Sequence, residues 1–204
     1  MNALILVDIQ NDFLPGGALA VPEGDQVIPV ANRLMPRFDL VIATQDWHPP
    51  GHLSFAASHP GRKGGEVIDL NGLPQVLWPV HCVQGSRGAQ LAPTLHTSGI
   101  RHIIRKGTDP RIDSYSGFYD NGHRKATGLA ELLRQRGASD LYLMGLATDY
   151  CVKFTTIDAL SEGFRVHVIA DGCRGVELKQ GDVEAAMAEM KQAGATILLS
   201  RDVA

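Results

Sequence analysis

The second half of the chain repeats one unit, in which a helix-like stretch ends at a glycine and an apolar run follows directly. Each of these glycines, Gly137, Gly163 and Gly194, stands where glycine is favoured because it adopts positive φ at little cost. The apolar runs predict strands over 141–147, 164–170 and 195–200. Repeated helix–strand units indicate an α/β fold, in which a mostly parallel central sheet lies between two layers of helices.

The first half of the chain adds three apolar runs, which predict strands over 2–8, 39–44 and 100–106. A helix is predicted over 25–38, with Asp25 as its cap and Pro36 ending or kinking it. Thr127 is the predicted cap of the helix that ends at Gly137. Residues 47–79 are rich in Gly, Pro and His without periodicity, and a loop of that length is usually functional or disordered. We expect one domain over 1–204, since this length supports a sizeable core.

Composition excludes several classes of function. The formal net charge is −3 and no basic run occurs, so we expect no nucleic-acid partner. No apolar stretch approaches the roughly 20 residues that span a bilayer, and we expect no membrane association. The N-terminus reads as a first strand and not as a signal peptide. Three cysteines cannot form a closed disulfide framework, which favours reduced thiols in the cytoplasm. We expect a monomer or a small homo-oligomer.

Polar side chains follow the predicted strands at the points where they end. Asp8 follows the first strand, Lys106 ends the strand at 100–106, and Cys151 comes shortly after the strand at 141–147. Ligands bind parallel sheets at the carboxyl ends of the strands. A carboxylate, an ammonium and a thiol at that edge are equipment for nucleophilic catalysis. Each residue alone has a plainer interpretation as a turn residue, a solvated strand end or a packed cysteine.

Two cysteines compete for the role of nucleophile. Cys151 lies where a strand gives way to a helix, with Thr148 or Asp149 as the candidate cap. The positive end of a helix lowers the pKa of a thiol, so this position predicts a thiolate, although simple burial is the alternative. Cys173 follows the next strand between two glycines, with no helix starting there. The physics of the helix terminus favours Cys151.

A second set of side chains has the composition of a metal site. Asp46 and His48 are two residues apart, and on an extended segment such side chains point to the same side. Further histidines follow at His52, His59 and His81. Carboxylate and imidazole together suit zinc, iron or manganese, whereas loop histidines that are merely exposed are the plainer alternative.

Five stretches of the sequence resemble the nicotinamidases, also called pyrazinamidases, of the isochorismatase-like cysteine hydrolase family. They are VDIQNDFLPGGALAVPEGD, ATQDWHPPGHLSF, WPVHCVQG, KGTDPRIDSYSGF and GLATDYCVKFTTIDAL. None of them would suffice alone, but together they extend over essentially the whole chain. The resemblance favours Cys151 over Cys173 and favours the metal site.

The resemblance implies a role for each matching residue. The catalytic triad falls on Asp8, Lys106 and Cys151. The metal ligands fall on Asp46, His48 and His81, with His52 as a possible extra ligand. The oxyanion hole is formed by the backbone N–H groups of Ala147 and Cys151, behind a cis peptide bond that precedes Ala147. The aromatic residues around the substrate ring match Phe13, Trp78 and Tyr115.

The resemblance also implies the reaction. Nicotinamide would be hydrolysed to nicotinate and ammonia through a thioester on Cys151, as a step of NAD salvage, and pyrazinamide would be a further substrate. One divalent metal ion would bind the pyridine nitrogen. Zinc is the first choice for this ion, and iron and manganese are the alternatives. A ureido or carbamoyl amidohydrolase of the same superfamily would share the triad but usually lacks the metal set. A non-catalytic metal-binding or redox-sensing protein would need neither Asp8 nor Lys106.

Overall fold

Every apolar run singled out in the sequence forms a strand in the computed structural model, which describes residues 1–203. The strands are β1 (Asn2–Val7), β2 (Leu40–Asp46), β3 (Val67–Leu70), β4 (Leu73–Val76), β5 (His102–Lys106), β6 (Asp140–Leu146), β7 (Arg165–Arg174) and β8 (Thr196–Leu198). Six of them form one parallel sheet in the order β5–β2–β1–β6–β7–β8. The prediction of a parallel α/β fold is confirmed.

Four helices flank the sheet: α1 (Val27–Leu34), α2 (Leu129–Gln135), α3 (Lys153–Ser161) and α4 (Asp182–Gln192). Helix α1 packs against β6 and β7, and α3 packs against β7. The central strand β1 carries the middle of the core, because Ala3 to Val7 are completely buried. None of the helices in the described part of the chain has the length and apolar character needed to cross a membrane.

The helix predicted over 25–38 is shorter than expected. It consists of a 3₁₀ turn at Gly24–Gln26, the helix α1, and a second 3₁₀ turn at Met35–Arg37 that contains Pro36. The prediction that Asp25 caps it is wrong, since Asp25 lies inside the first 3₁₀ turn and no side chain caps α1. Thr127 is not the cap of α2 either, since Gly128 occupies that position, although Oγ1 of Thr127 accepts the N–H of Leu129 at 3.2 Å.

The strand predicted over 164–170 continues to Arg174, which corrects the expected position of Cys173. Cys173 lies inside β7 and pairs with Gly145 of β6, so it does not follow the strand. The register shifts between Leu143 and Gly145, and this bulge lets β7 continue through the polar residues that suggested its end. Asp171 is therefore directed to another part of the fold, where it accepts the N–H of Ser200 at 2.7 Å.

Residues 47–79 are not free of secondary structure. Strands β3 and β4 pair antiparallel as a separate hairpin, joined by Asn71 and Gly72 at φ of +56° and +84°. Positive φ at both central residues is the reason that Asn-Gly is the preferred two-residue hairpin turn. The turn signal was present in the sequence, but Pro74 and the mixed polarity of the strands hid the pattern around it.

Gly145 brings β6 close to β1 at the edge that carries the polar residues. Its φ is +128°, and a Cβ at this position would lie 2.2 Å from the carbonyl oxygen of Val7. A side chain here would therefore impose both an unfavourable backbone conformation and an overlap with the central strand.

We predict that Gly145→Ala lowers the free energy of unfolding by about 3 kcal/mol, from the cost of positive φ together with overpacking. Gly137→Ala is the matched control, because its φ is +70° but no atom lies within 4 Å of the added Cβ. The control should lose only the backbone contribution of about 1–2 kcal/mol. Urea unfolding of both variants measures the difference, and equal losses would contradict the assigned close approach.

Candidate active site

The carboxyl edge of the sheet gathers the predicted catalytic residues. Asp8 follows β1 directly, Asp46 and Lys106 end the neighbouring strands β2 and β5, and Ala147 follows β6. Asp46 and Lys106 are also register partners. Because these four strands are adjacent in the sheet, their ends place the side chains within contact of one another.

The ammonium of Lys106 lies at the centre of the group. Its Nζ donates hydrogen bonds to Asp46 Oδ1 at 2.5 Å, to the carbonyl of Ser114 at 2.9 Å and to Cys151 Sγ at 3.3 Å. Those three bonds use all the hydrogens of an ammonium. Burial by itself opposes the charge, but Asp46 and Asp8 outweigh it, and the pKa of Lys106 is raised well above its usual value. Lys106 is therefore a permanent buried cation.

Asp8 is paired with Lys106 by charge and keeps one oxygen available. Its Oδ2 lies 2.9 Å from Lys106 Nζ but receives no aligned hydrogen bond from the described residues. Its Oδ1 accepts the Thr44 hydroxyl at 2.6 Å, which fixes the carboxylate plane. Burial raises the pKa of the Asp8 carboxyl, with Lys106 opposing the rise and Asp46 adding to it. A carboxylate with a free oxygen and a raised pKa is suited to accept a proton.

Cys151 lies in a π-helical turn, Thr148–Val152, that leads into α3. The helix terminus predicts a thiolate here, but the surroundings of the thiol oppose that charge. Burial raises the pKa of the Cys151 thiol well above its usual value, and Lys106 lowers it less than burial and the two carboxylates raise it. An oxygen of Asp8 and one of Asp46 lie within 4.8 Å of Sγ. The thiol thus lies beside a carboxylate that can accept its proton.

The expected caps of the helix after Cys151 do not act as caps. No side chain caps the turn at Thr148–Val152, and the residue at its N-cap position is Ala147. The peptide bond between Leu146 and Ala147 is cis, as the resemblance implies. Ala147 and Cys151 both line the same small cavity, and the carbonyl of Ala147 accepts the N–H groups of Tyr150 and Val152.

Asp46, His48 and His81 form a cluster with the chemistry of a metal site. One ligand atom from each lies within 4.8 Å of the other two. Nε2 of His48 and Nε2 of His81 lie 3.6 and 3.8 Å from Asp46 Oδ2. The opposite nitrogens, Nδ1, are bonded to the carbonyls of Gly107 and Pro79 at 3.0 and 2.8 Å. Hydrogen bonds of that kind orient imidazoles for metal binding.

Three further observations fit a cation in this cluster. Nε2 of His48 is buried without a hydrogen-bond partner among the described residues. Burial lowers the pKa of His81 to about 4, so this imidazole is neutral near pH 7, as a ligand must be. Gly107 makes room for His48, because a Cβ there would lie 2.4 Å from the ring. The three residues present therefore fit a divalent ion.

His52 lies beside this cluster and outside the group of three. Its ring is 4.5 Å from that of His48, and it groups with His48 and Asp113. Nδ1 of His52 accepts the backbone N–H of Ser54 at 3.1 Å, and Nε2 lies 3.3 Å from the carbonyl of Ile112. Both ring nitrogens are thus engaged by the protein. Whether His52 serves as an extra ligand stays a prediction, and the geometry favours the three-residue set.

The three predicted pocket aromatics come together around one cavity next to Cys151. Trp78 donates to the hydroxyl of Tyr115 at 3.1 Å, and Phe13 lies 5.6 Å from the ring of His81. The cavity is lined by Phe13, Leu19, Asp46, Trp78, His81, Asp113, Tyr115, Ala147, Tyr150, Cys151 and Val176. It connects the thiol to the metal cluster through a mostly apolar space.

Sequence reasoning missed several residues that support or line the site, among them Gln10, Asp12, Tyr150 and Val176. Gln10 accepts the N–H of Asp46 at 2.8 Å and donates to its carbonyl at 2.9 Å, which anchors the end of β2. Asp12 accepts the N–H of Cys82 at 2.7 Å, next to His81. Tyr150 and Val176 line the cavity. Gln10, Asp12 and Tyr150 stand inside the quoted stretches, whereas Val176 follows β7 without any signal of its own.

Comparison with known proteins agrees with the fold. The isochorismatase domain matches residues 2–202. The nicotinamidase of Escherichia coli (strain K12) is 54% identical over 98% of this chain and 96% of its own length. The solved nicotinamidase/pyrazinamidase of Acinetobacter baumanii superposes with a TM-score of 0.96 at 46% identity, covering 98% of this chain and 97% of its own.

A further solved relative is the pyrazinamidase of Pyrococcus horikoshii in complex with zinc. It is 40% identical, has a TM-score of 0.79, and covers 97% of this chain and 98% of its own. The domain match extends over nearly all of the chain, and the sequence and structural similarities do so as well. This chain belongs to the isochorismatase family.

Proposed function

We propose that this chain is a nicotinamidase, which hydrolyses nicotinamide to nicotinate and ammonia. The observation that carries the proposal is the thiol of Cys151, which contacts Lys106 and lies within 4.8 Å of an oxygen of Asp8, at the wall of a cavity that also reaches a three-ligand metal cluster. Relatives with the name nicotinamidase match over almost the full length. Pyrazinamide, which keeps the ring nitrogen and the amide, is the second substrate that we propose.

The first half of the reaction forms a thioester. Asp8 takes the thiol proton as Cys151 Sγ attacks the amide carbon, and Lys106 balances the negative charge that moves between them. The oxyanion is held by the backbone N–H groups of Ala147 and Cys151, and one such donor can contribute about 3 kcal/mol. Asp8 then gives its proton to the nitrogen as the C–N bond breaks, and ammonia leaves.

The second half releases the acid. A water molecule in the place of ammonia loses a proton to Asp8 and attacks the thioester carbon. The C–S bond breaks and the proton returns from Asp8 to Sγ, so that nicotinate leaves and the thiol is restored. Each proton is moved by the same carboxylate, and this agrees with the free Oδ2 of Asp8.

Asp46, His48 and His81 would hold one divalent ion, zinc in our proposal and iron or manganese otherwise. When bound, the ion supplies a Lewis acid that can ligate the pyridine nitrogen and thereby orient the ring. Phe13, Trp78 and Tyr115 would enclose that ring, with its amide directed at Cys151. Holding a substrate in register is worth several kcal/mol of the activation barrier.

We place the reaction in NAD salvage, in which a later enzyme must take up nicotinate. We also place the protein in the cytoplasm. The three thiols are free and buried, which agrees with a reducing compartment. The substrate is a small molecule, and we propose that the chain acts as a monomer or a small homo-oligomer.

Cys151→Ala should abolish ammonia release from nicotinamide, whereas Cys173→Ala should keep at least half of it. Cys173 lies in β7 with its thiol pKa raised to about 12 by burial, and it is a matched buried cysteine outside the cavity. Steady-state ammonia assays on both variants test the assignment. Activity in Cys151→Ala together with its loss in Cys173→Ala would place the nucleophile elsewhere.

Asp8→Asn should lower kcat by about 100-fold or more, because an amide cannot carry the proton and general acid–base catalysis typically contributes that much. Asp158→Asn is the control, since Asp158 on α3 is also a buried carboxyl with a raised pKa but pairs with His123. Circular dichroism should show both variants folded. Normal turnover by Asp8→Asn would end the proton-shuttle mechanism.

His48→Ala and His81→Ala should each lower the zinc retained after dialysis by at least tenfold, because loss of a direct ligand costs at least as much as loss of an outer-shell partner. His167→Ala is the control, since His167 stacks on Tyr142 away from the cluster. Metal content is measured by mass spectrometry, independently of activity. Full retention of zinc in both ligand variants would rule out the site.

Benzamide should have a kcat/KM about 100-fold or more below that of nicotinamide. A loss of this size is expected when a site that binds a polar group receives a substrate without that group. Benzamide has nearly the same shape but no ring nitrogen. Removal of the metal by a chelator should reduce nicotinamide turnover and narrow this gap. Comparable kcat/KM for both amides in the metal-loaded protein would show that the ring nitrogen is not what the site selects.

A further inference from the structure

Asp149 is a buried carboxylate that the mechanism does not use. It lies two residues before Cys151, in the π-helical turn that follows β6. Its Oδ1 accepts the N–H of Val176 at 3.0 Å, and its Oδ2 accepts the N–H of Glu177 at 2.7 Å. Both bonds leave the turn and reach the segment after β7. The carboxylate therefore connects the turn that carries the nucleophile to a different part of the chain.

That segment forms one wall of the substrate cavity. Val176 lines the cavity together with other apolar residues, such as Phe13 and Leu19. Glycine precedes it, and a Cβ at Gly175 would lie 2.1 Å from Val183 and 3.1 Å from Asp149 Oδ1. The missing side chain lets the backbone approach the carboxylate closely enough for both hydrogen bonds.

The backbone of the segment is also held in an uncommon conformation. Glu177 has φ of +53°, which non-glycine residues adopt rarely. Its own carboxylate accepts the N–H of Gly181 at 2.7 Å, which closes the loop before α4. A carboxylate that accepts two adjacent N–H groups makes charge-assisted hydrogen bonds, and these are about twice as strong as neutral ones. Asp149 is thus the side chain that holds Val176 in place.

We propose that Asp149 is a positioning residue that sets the width of the ring pocket by holding Val176 against the substrate. The inference rests on the proposed nicotinamidase function and extends it to specificity. Val176 contacts the ring in the ground state and in the transition state alike, so its loss changes KM more than kcat. A released Val176 also leaves room for a substituent on the ring.

The test compares Asp149→Ala, Val176→Ala and the double variant, with nicotinamide and 5-methylnicotinamide as substrates. Asp149→Ala should raise KM for nicotinamide about tenfold, the scale of a lost apolar contact in a pocket, and change kcat less than threefold. The preference for nicotinamide over the methylated substrate should fall by a similar factor. The double variant should resemble Asp149→Ala alone, because residues that act through one contact are not additive.

Asp171→Ala is the matched control. Asp171 likewise accepts a backbone N–H and a hydroxyl, both from Ser200, but it holds the C-terminal turn instead of the cavity wall. It should lose comparable thermal stability and keep KM within about twofold. A readout free of turnover is hydrogen exchange of the 175–178 segment, which should become faster in Asp149→Ala and stay unchanged in Asp171→Ala.

Several results would overturn the proposal. Additive effects of Asp149→Ala and Val176→Ala, or a fall in kcat with an unchanged KM, would assign Asp149 to the nucleophile turn itself. Unchanged exchange of the 175–178 segment would show that the two hydrogen bonds do not hold it. Absence of ammonia release by the parent chain would instead refute the proposed function, and the exchange experiment would still decide whether Asp149 positions Val176.

Discussion

The buried ammonium of Lys106 is the interaction on which the site depends. It contacts Asp8, Asp46 and Cys151, so one cation holds together the proton acceptor, the metal-ligand cluster and the nucleophile. A buried charge is tolerated only where it is paired and hydrogen-bonded. Each partner comes from a different strand end or turn, and the cation therefore also fixes how these ends meet.

The ion group opposes ionisation of the Cys151 thiol. One ammonium and two carboxylates already leave one net negative charge, and a thiolate beside them would add another without solvent to screen it. A divalent ion at Asp46, His48 and His81 would reverse the sign of that sum. The nucleophile and the metal cluster are thus electrostatically linked through Asp46, which touches both Lys106 and the two imidazoles.

The sequence predicted the fold well because helix–strand periodicity and terminal glycines are local signals. The strands and their parallel direction follow from these signals, and so does the edge where Asp8, Lys106 and Cys151 meet. Local signals did not reveal the raised pKa of the Cys151 thiol, since this depends on burial and on charges distant in the sequence. Nor did they show that Asp149 binds the segment after β7 instead of capping its own turn.

Predictions also failed where the sheet departs from regularity. The polar residues Asp171 and Cys173 suggested the end of β7, but a bulge against β6 carries the strand past them. Cys173 therefore lies in the core and not at the edge of the sheet that carries the candidate site. A bulge depends on how the strand pairs with its neighbour, and it cannot be seen in the residues of the bulged strand alone.

The site is built on backbone conformations that the surrounding hydrogen bonds must maintain. Asp8 and Cys82 have φ of +47° and +46°, and left-handed residues other than glycine cost of order 1–3 kcal/mol each. Thr44 Oγ1 accepts the N–H of Asp8, and Asp12 accepts that of Cys82. Thr44 and Asp12 thus maintain these backbone conformations. They also orient Asp8 towards the thiol and His81 towards the metal cluster. The buried strand β1 provides the rigid support for both, because Asp8 and the Asp12 turn follow it directly.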